Sequence, residues 1–345
     1  MELEAERMRA IGYRKASPEL DHLEAFDIPR PKPEGRDLLV EVRAVSVNPV
    51  DYKVASGGGP GAPADTGAIK VVGYDAAGVV VETGREAQLF KPGDEVFYAG
   101  SVGRQGANME FHLVDERIAG RKPRTLDFAA AAALPLTSIT AWEAMFDRLD
   151  VAKPVPGAAH AILILGGAGG VGSIAIQLAR QLTDLSIVAT ASRPETVQWA
   201  KDMGAHHVID HKKPLAPQIA ALGIGSPAFI FATSPIGGVI ADLAELIAPQ
   251  GRVALINAES ADLFVFRPKS VSIHFELMFT RPLLQTADIE AQHKLLNEVA
   301  DLVDSGRIRS TMRENYGRID AANLMRAMKF LKSGSAIGKV VLAGF

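Results

Sequence analysis

Three glycines give the first indication of chemistry in this chain. Gly167, Gly169 and Gly172 are spaced as G-x-G-x-x-G, between an apolar segment with strand character and a segment with helical period. Glycines at this spacing let the backbone turn tightly and approach a pyrophosphate, whose charge then lies on the free N–H groups of the helix N-terminus. The pattern predicts a dinucleotide site, the alternative being a turn with only a packing role. The candidate residues are Gly167, Gly169, Gly170, Val171 and Gly172.

The type of dinucleotide depends on a position about 20 residues further on, at the end of the next strand. An NAD site normally has a carboxylate there, but this chain reads Thr190-Ala191-Ser192-Arg193. A hydroxyl and a guanidinium would bind a 2′-phosphate through charge-assisted hydrogen bonds, whereas a carboxylate would repel it. The sequence therefore favours NADP(H), the alternative being that Arg193 is a solvated loop charge.

Three histidines lie in and around the next predicted strand. His206, His207 and His211, with Asp210, suggest a metal cluster at first sight. Neighbouring strand residues point to opposite faces of a sheet, so His206 and His207 cannot both face one ion without distortion. We expect His211 either to border the adenosine phosphate or to be an ordinary surface histidine.

Composition restricts the possible functions. The chain has 345 residues, a formal net charge of −3 and no cysteine. Disulfides, thiolate nucleophiles, iron–sulfur clusters and sulfur-ligated zinc sites are therefore excluded. The balanced charge predicts no nucleic-acid partner and no membrane partner. Because residues 1–10 contain no apolar run, a cytoplasmic location is the expectation.

The elements that must position these residues follow two patterns. Residues 38–115 contain short segments of period two separated by Gly/Pro turns, which predict a barrel-like β domain. Beyond residue 125, apolar strands alternate with helical stretches, which predicts a doubly wound parallel sheet in an α/β fold. The uncharged residues 161–179 are long enough to cross a bilayer, but five central glycines favour a strand–turn–helix. Predicted strands of the parallel sheet are residues 161–165, 186–191, 207–209, 228–232 and 252–256.

Five motifs occur in a fixed order along the chain: Val47-Asn48-Pro49-Val50-Asp51, Gly73-Tyr74-Asp75-Ala76-Ala77-Gly78, Lys91-Pro92-Gly93-Asp94, Leu134-Pro135 with Thr140-Ala141-Trp142, and Gly166 to Gly172. In this order they resemble the medium-chain dehydrogenase/reductase superfamily, and within it the quinone-oxidoreductase-like branch and the zinc-type alcohol dehydrogenase-like proteins. The resemblance implies a GroES-like catalytic domain (residues 1–130 and 283–345), a Rossmann NADP(H)-binding domain (residues 131–282) and a homodimer formed through edge strands of the Rossmann sheets. It also implies that Ser192, Arg193 and His211 contact the 2′-phosphate and that Asn257 approaches the nicotinamide.

The sequence departs from the zinc-dependent members of that superfamily at the metal ligands. The resemblance implies a Cys, a His-Glu pair and a further Cys or acid around a catalytic zinc. Here Asn48 stands at the first position, Tyr74-Asp75 at the pair, and only apolar and hydroxyl groups near Leu136. Residues 99–111, where a four-cysteine zinc lobe is expected, contain no cysteine. We therefore predict no metal.

Without a Lewis acid, alcohol oxidation loses several kcal/mol of assistance. A quinone or an α,β-unsaturated carbonyl needs less help, so we expect NADPH-dependent hydride transfer to such an acceptor. Asn48 and Tyr52 are the candidate catalytic donors to the developing oxyanion, with Tyr74 a third possibility; turn bonding of Asn48 and core packing of Tyr52 are the alternatives. Two other functions remain open: a metal-dependent alcohol dehydrogenase with unusual ligands, and an NADPH-binding protein without turnover.

Overall fold

The chain divides into two units in a computed structural model, which describes residues 6–60, 67–257 and 261–345. Unit 1 consists of Met1–Leu136 and Phe279–Phe345, and unit 2 of Thr137–Met278. Residues 1–5, at the start of the segment predicted to lack an export signal, lie outside the described residues. In the described ranges, no helix is both long enough and apolar enough to cross a membrane.

Strands and helices alternate along most of the chain. The strands are β1 Arg7–Tyr13, β2 Glu24–Pro29, β3 Asp37–Val47, β4 Lys70–Val71, β5 Ala76–Thr83, β6 Glu95–Tyr98, β7 Phe111–Asp115, β8 Ala119–Arg121, β9 Ala159–Leu165, β10 Ser186–Thr190, β11 His207–Ile209, β12 Pro227–Ala232, β13 Arg252–Leu255, β14 Ser272–Phe275, β15 Met312–Asn315 and β16 Lys339–Ala343. The α-helices are α1 Pro49–Ala55, α2 Phe128–Ala132, α3 Pro135–Trp142, α4 Gly170–Leu182, α5 Pro194–Asp202, α6 Leu215–Ala221, α7 Ile240–Leu246, α8 Thr280–Leu284, α9 Ala291–Asp304 and α10 Ala321–Lys332.

Unit 1 is built around a seven-stranded sheet. Its strand order is β15-β16-β3-β5-β6-β8, with β7 also pairing with β3, and a second sheet has the order β2-β1-β4. The last strand of the chain, β16, runs antiparallel to β3 with Val340 opposite Val47, and β5 runs antiparallel to β3 with Ala76 opposite Val45. The first residues of β16 and of β5 therefore lie beside the last residues of β3, at the same end of these three neighbouring strands.

Unit 2 contains a six-stranded sheet of order β11-β10-β9-β12-β13-β14, in which all neighbouring strands are parallel. The predicted doubly wound parallel sheet is confirmed. The carboxyl ends of parallel strands share one edge, where ligands bind in such folds. The glycine-rich turn follows β9 at this edge, and Ser192, His211 and Asn257 follow β10, β11 and β13.

Helix α3 leads directly into a helix of a different type. α3 ends at Trp142, and the next six residues, Glu143–Arg148, form a π-helix. π-Helical turns are rare and are frequently found at functional sites. The π-helix brings Glu143 and Arg148 to Glu276, the residue that follows β14.

Candidate active site and nucleotide-binding edge

The glycine-rich turn is fixed against the end of β10. The N–H of Gly166 donates to the Thr190 hydroxyl at 3.0 Å, and the N–H of Gly167 donates to the Thr190 carbonyl at 3.0 Å. A Cβ on Gly172 would lie 2.2 Å from the Gly166 carbonyl oxygen, so only glycine allows the helix to start so close to the turn. Gly166, at φ +72°, also requires glycine.

The first turn of α4 is open to a ligand. Gly169 is its N-cap residue and provides no side chain to accept from the first amides. These amides, on Gly170, Val171 and Gly172, have no partner within the helix, because an α-helix leaves its first N–H groups unpaired. The α4 helix has 13 residues, and its N-terminus carries the positive end of the helix dipole. This arrangement fits the pyrophosphate of a dinucleotide.

The predicted 2′-phosphate residues lie at the ends of two neighbouring strands. Thr190 of β10 pairs with Ile209 of β11, so Ser192 and His211 follow adjacent strand ends. His211 is exposed, whereas Ser192 and Arg193 are half-buried. The Arg193 Nε lies 3.1 Å from a Glu195 carboxylate oxygen. The Arg193 guanidinium is therefore held at this edge by a carboxylate whose side chain is 54% exposed.

His206, the first histidine of this segment, is hydrogen-bonded within the sheet of unit 2. His206 Nδ1 accepts from the N–H of Ile187 at 2.9 Å, and the Arg180 guanidinium contacts its Nε2. Burial and the nearby Arg180 charge lower the pKa of His206. Within the described ranges, no group of three or more His, Cys, Asp or Glu side chains could hold a metal ion.

Asn257 lies two residues beyond β13, next to the end of β14, since Leu255 pairs with Phe275. It is half-buried and belongs to the same sheet edge as the glycine-rich turn. Its contact with a nicotinamide ring remains a prediction.

In unit 1, Asn48 lies in a buried polar cluster with Asp51, Asp75 and Lys339. Its Nδ2 donates to Asp75 Oδ2 at 2.8 Å and to the Tyr74 carbonyl at 3.2 Å, and its Oδ1 accepts from the Lys339 ammonium. Asn48 also precedes α1, and its N–H donates to the Asp51 carboxylate at 2.6 Å. Both polar atoms of the Asn48 side chain therefore form hydrogen bonds inside unit 1. Its role as an oxyanion donor remains a prediction.

The two carboxylates of this cluster are buried. Burial raises the pKa of Asp51 to about 7, although the N–H groups of Asn48 and Gly73 and the Lys339 charge lower it. Burial also raises the pKa of Asp75, against the opposing effects of Lys339, Asn48 and a backbone N–H. Both oxygens of Asp75 accept hydrogen bonds, and Oδ2 also lies 3.1 Å from the Lys339 Nζ. This pattern fits an ionised carboxylate, because it provides no acceptor for a carboxyl proton.

Two tyrosines lie close to the cluster in sequence. Tyr52, on α1, is half-buried. Tyr74 is fully buried, and its ring packs edge-on against Phe279 at 5.5 Å. Burial raises the pKa of both phenols. Tyr52 is therefore the more accessible of the two hydroxyls.

Residues 99–111 are held by side chains. The Arg104 guanidinium forms two hydrogen bonds with the Asp37 carboxylate, at 2.7 and 2.8 Å. His112, just beyond the segment, contacts the Gln105 carbonyl through Nε2 at 2.9 Å and the Tyr98 hydroxyl through Nδ1 at 3.1 Å. Burial lowers the pKa of His112 to about 4, so the ring is neutral at pH 7. A salt bridge and a neutral histidine stabilise this loop.

Comparisons with known proteins agree with the two units. The model of the alcohol dehydrogenase GroES-like domain matches residues 34–123, and that of the zinc-binding dehydrogenase family matches residues 170–297. A zinc-type alcohol dehydrogenase-like protein of Staphylococcus epidermidis is 38% identical over 341 residues, which cover 97% of this chain and 99% of the relative. A 2-methylene-furan-3-one reductase of Solanum lycopersicum is 28% identical over 319 residues, covering 88% of this chain and 71% of the relative.

A solved structure from Rhizobium etli CFN 42, provisionally described as a zinc-dependent alcohol dehydrogenase, is 61% identical and superposes with a TM-score of 0.96, covering 99% of both chains. The parallel sheet with its glycine-rich turn and the mostly antiparallel sheet of unit 1 are those of a dinucleotide-dependent oxidoreductase. The chain belongs to the medium-chain dehydrogenase/reductase superfamily.

The residues at the metal position of this superfamily do not fit zinc. A zinc site needs several nitrogen, sulfur or carboxylate ligands in a tetrahedral arrangement. Here the Asn48 amide oxygen and Asp75 Oδ2 both accept from Lys339, and both Asp75 oxygens are already engaged. Sequence reasoning missed Lys339, which lies 291 residues from Asn48. The only local signal was a charged residue at the start of an otherwise apolar strand.

Proposed function

We propose that this protein is a zinc-free, NADPH-dependent reductase that transfers hydride to a quinone or an α,β-unsaturated carbonyl. The observation that carries the proposal is the Lys339 ammonium, which is bonded to Asn48 and Asp75 at the position where relatives would bind a metal. A reaction without a Lewis acid favours acceptors whose carbon is already electron-poor. The relative named as a 2-methylene-furan-3-one reductase is consistent with an enone acceptor.

When bound, NADPH supplies the hydride, and the chain must stabilise the negative charge that develops on the acceptor oxygen. We assign this donor role to Tyr52 rather than to Tyr74, because Tyr52 is half-buried and open to a substrate, whereas Tyr74 is fully buried. Asn48 then acts as a positioning residue, since its amide hydrogens are directed at Asp75 and the Tyr74 carbonyl. Solvent supplies the proton that completes the reduction.

The reaction can be tested by following NADPH oxidation against quinones, enones, aldehydes and alcohols. We expect turnover with quinones or enones, insensitive to chelators. We expect Tyr52→Phe to lower kcat by about 10- to 100-fold, as for loss of one oxyanion donor or acid. Tyr316→Phe, a tyrosine of unit 1 outside the cluster, is the matched control. Chelator-sensitive alcohol oxidation, or tight NADPH binding without any turnover, would refute the proposal.

Preference for NADPH over NADH rests on Ser192, Arg193 and His211. No carboxylate follows β10 directly, and Arg193 can exchange Glu195 for a 2′-phosphate. We expect Arg193→Ala to reduce the ratio of NADPH to NADH affinity by about 10-fold, as for the loss of one charge-assisted contact. Arg85→Ala, at an exposed position of unit 1, is the control. An unchanged ratio in Arg193→Ala would contradict this assignment.

The proposed quaternary state is a homodimer formed through β14. Among the strands of the described residues, β14 pairs with β13 alone, and Phe275 at its end is 63% exposed. An open strand edge with an exposed aromatic side chain is a common site of self-association. We expect a dimer by light scattering for the wild type and a monomer for Phe275→Lys. Phe264→Lys, at a more exposed phenylalanine outside any strand, should remain dimeric, and a monomeric wild type would refute the proposal.

A further inference from the structure

We propose that Lys339 is the resident cation of the metal position in this chain. Its ammonium neutralises Asp75, occupies the oxygens that a divalent ion would need, and holds in place the helix that carries Tyr52. The inference deepens the zinc-free part of the proposed function and rests on it, but it does not depend on which acceptor is reduced.

Strand register explains why residues so far apart in sequence meet. Lys339 starts β16, one residue before Val340, which pairs with Val47 of β3. Asn48 follows Val47, and Asp75 directly precedes β5, whose first residue pairs with Val45. The three side chains therefore leave the same end of three adjacent strands, in the interior of unit 1.

Every hydrogen of the Lys339 ammonium has an acceptor. Nζ donates to the Val47 carbonyl at 2.9 Å, to the Asn48 Oδ1 and to Asp75 Oδ2, from which it lies 3.1 Å. The side chains of Lys339 and Asp75 are 4% and 0% exposed. A lysine is almost never buried so completely unless it is paired, so this cluster is a built site for one positive charge.

A divalent ion would have to replace the ammonium. Oxygen ligands bind zinc at about 2.0–2.2 Å, but Asn48 Oδ1 and Asp75 Oδ2 already contact Nζ, and Asp75 Oδ1 accepts from a backbone N–H. The ion would also lie within a few ångströms of the ammonium, in an environment where like charges repel strongly. Lys339 therefore excludes the metal through both ligand occupancy and charge.

Lys339 also acts as a positioning residue. Its ammonium contacts Asn48, the residue that precedes α1. The Asn48 N–H in turn donates to the Asp51 carboxylate in the first turn of that helix. The next residue along α1 is Tyr52. The position of the proposed donor therefore depends on a cation contributed by the last strand of the chain.

The first test measures metal. Wild type, Asp75→Asn and Lys122→Met, which alters another buried lysine of unit 1, are dialysed against zinc and analysed for bound metal. We expect equal, substoichiometric zinc in all three. One zinc per chain in the wild type that is lost in Asp75→Asn would overturn the proposal.

The second test is a double-mutant cycle in which the midpoint of thermal unfolding is measured. Lys339→Met leaves Asp75 without its cation, and we expect a loss on the order of 10 °C. In Lys339→Met/Asp75→Asn the charge is removed from both sides, and the freed Asn48 amide can turn its oxygen toward the new amide. The double variant should therefore be more stable than Lys339→Met alone.

Additive effects of the two substitutions would overturn the pairing, because a cycle without coupling means that Lys339 and Asp75 act independently. Both readouts are independent of turnover. If the protein reduces no quinone or enone while the coupling and the metal result hold, the proposed acceptor class fails and the assignment of Lys339 stands.

Discussion

Each unit of this protein buries a carboxylate beside a cation, but the two clusters differ in the number of charges. In unit 1, Lys339 lies 3.1 Å from Asp75, and each Asp75 oxygen accepts at least one hydrogen bond. In unit 2, Arg148 lies 2.9 Å from Glu276, which is also hydrogen-bonded to a second acid, Glu143.

The difference appears in the protonation of the acids. Burial and the neighbouring Glu143 raise the pKa of Glu276 to about 9, although Arg148 lowers it. Glu276 is therefore protonated at pH 7, whereas the hydrogen bonds around Asp75 fit an ionised carboxylate. Burial is similar at both sites, so the number and geometry of the partners decide whether a buried acid keeps its charge.

The largest predicted effect contrasts the two cations. At pH 7 we expect Lys339→Met to lower the free energy of unfolding by about 3–5 kcal/mol, because it leaves a buried ionised carboxylate without its partner. Arg148→Met should cost about 1 kcal/mol, because Glu276 is already neutral and the Arg148 side chain is 30% exposed. Urea unfolding of both variants measures the contrast, and equal losses would break the comparison.

The second prediction concerns pH. The pKa of Glu276 is raised from 4.5 to about 9, so the folded state binds the proton more tightly and the stabilisation is lost as pH rises through that window. Asp51, with a pKa of about 7, contributes only at lower pH. Between pH 7 and 9 we therefore expect the wild type to lose about 1–2 kcal/mol more than Glu276→Gln.

The control for the pH prediction is Asp51→Asn. Its removal should leave the decline between pH 7 and 9 unchanged, since the Asp51 window ends near pH 7. If Glu276→Gln declines as steeply as the wild type over this range, the proton does not belong to Glu276.

The same contrast separates what the sequence could predict from what it could not. The glycine-rich turn and β9 to β13 were predictable, because their residues are contiguous and their periodicity is local. Asn48 and Asp75 could be placed only by resemblance. Lys339 could not be linked to either, because the contact depends on the pairing of β16 with β3, which no local pattern encodes.

Other elements were not predicted from the sequence, for different physical reasons. β14 escaped prediction because its four residues, Ser272–Phe275, mix polar and apolar types at the edge of the sheet, where one side of the strand lacks a partner. The π-helix over Glu143–Arg148 has the composition of an α-helix, so periodicity cannot distinguish them. β1 and β2 precede the period-two pattern that began the prediction at residue 38.

The smallest predicted effect is a response to salt. The Asp75 and Lys339 side chains are almost fully buried, so ions in solution cannot approach them, whereas solvent reaches Arg148. Raising NaCl from about 0.05 to 0.5 M shortens the Debye length from about 14 to about 4 Å and should reduce the cost of Arg148→Met by no more than about 0.5 kcal/mol, because Glu276 is neutral. The cost of Lys339→Met should remain within error of its low-salt value. If the costs of Lys339→Met and Arg148→Met were equally sensitive to salt, water would have to reach the unit 1 cluster. A hydrated site offers a divalent ion ligands that the protein does not supply. The exclusion of metal by Lys339 would then need a different physical basis.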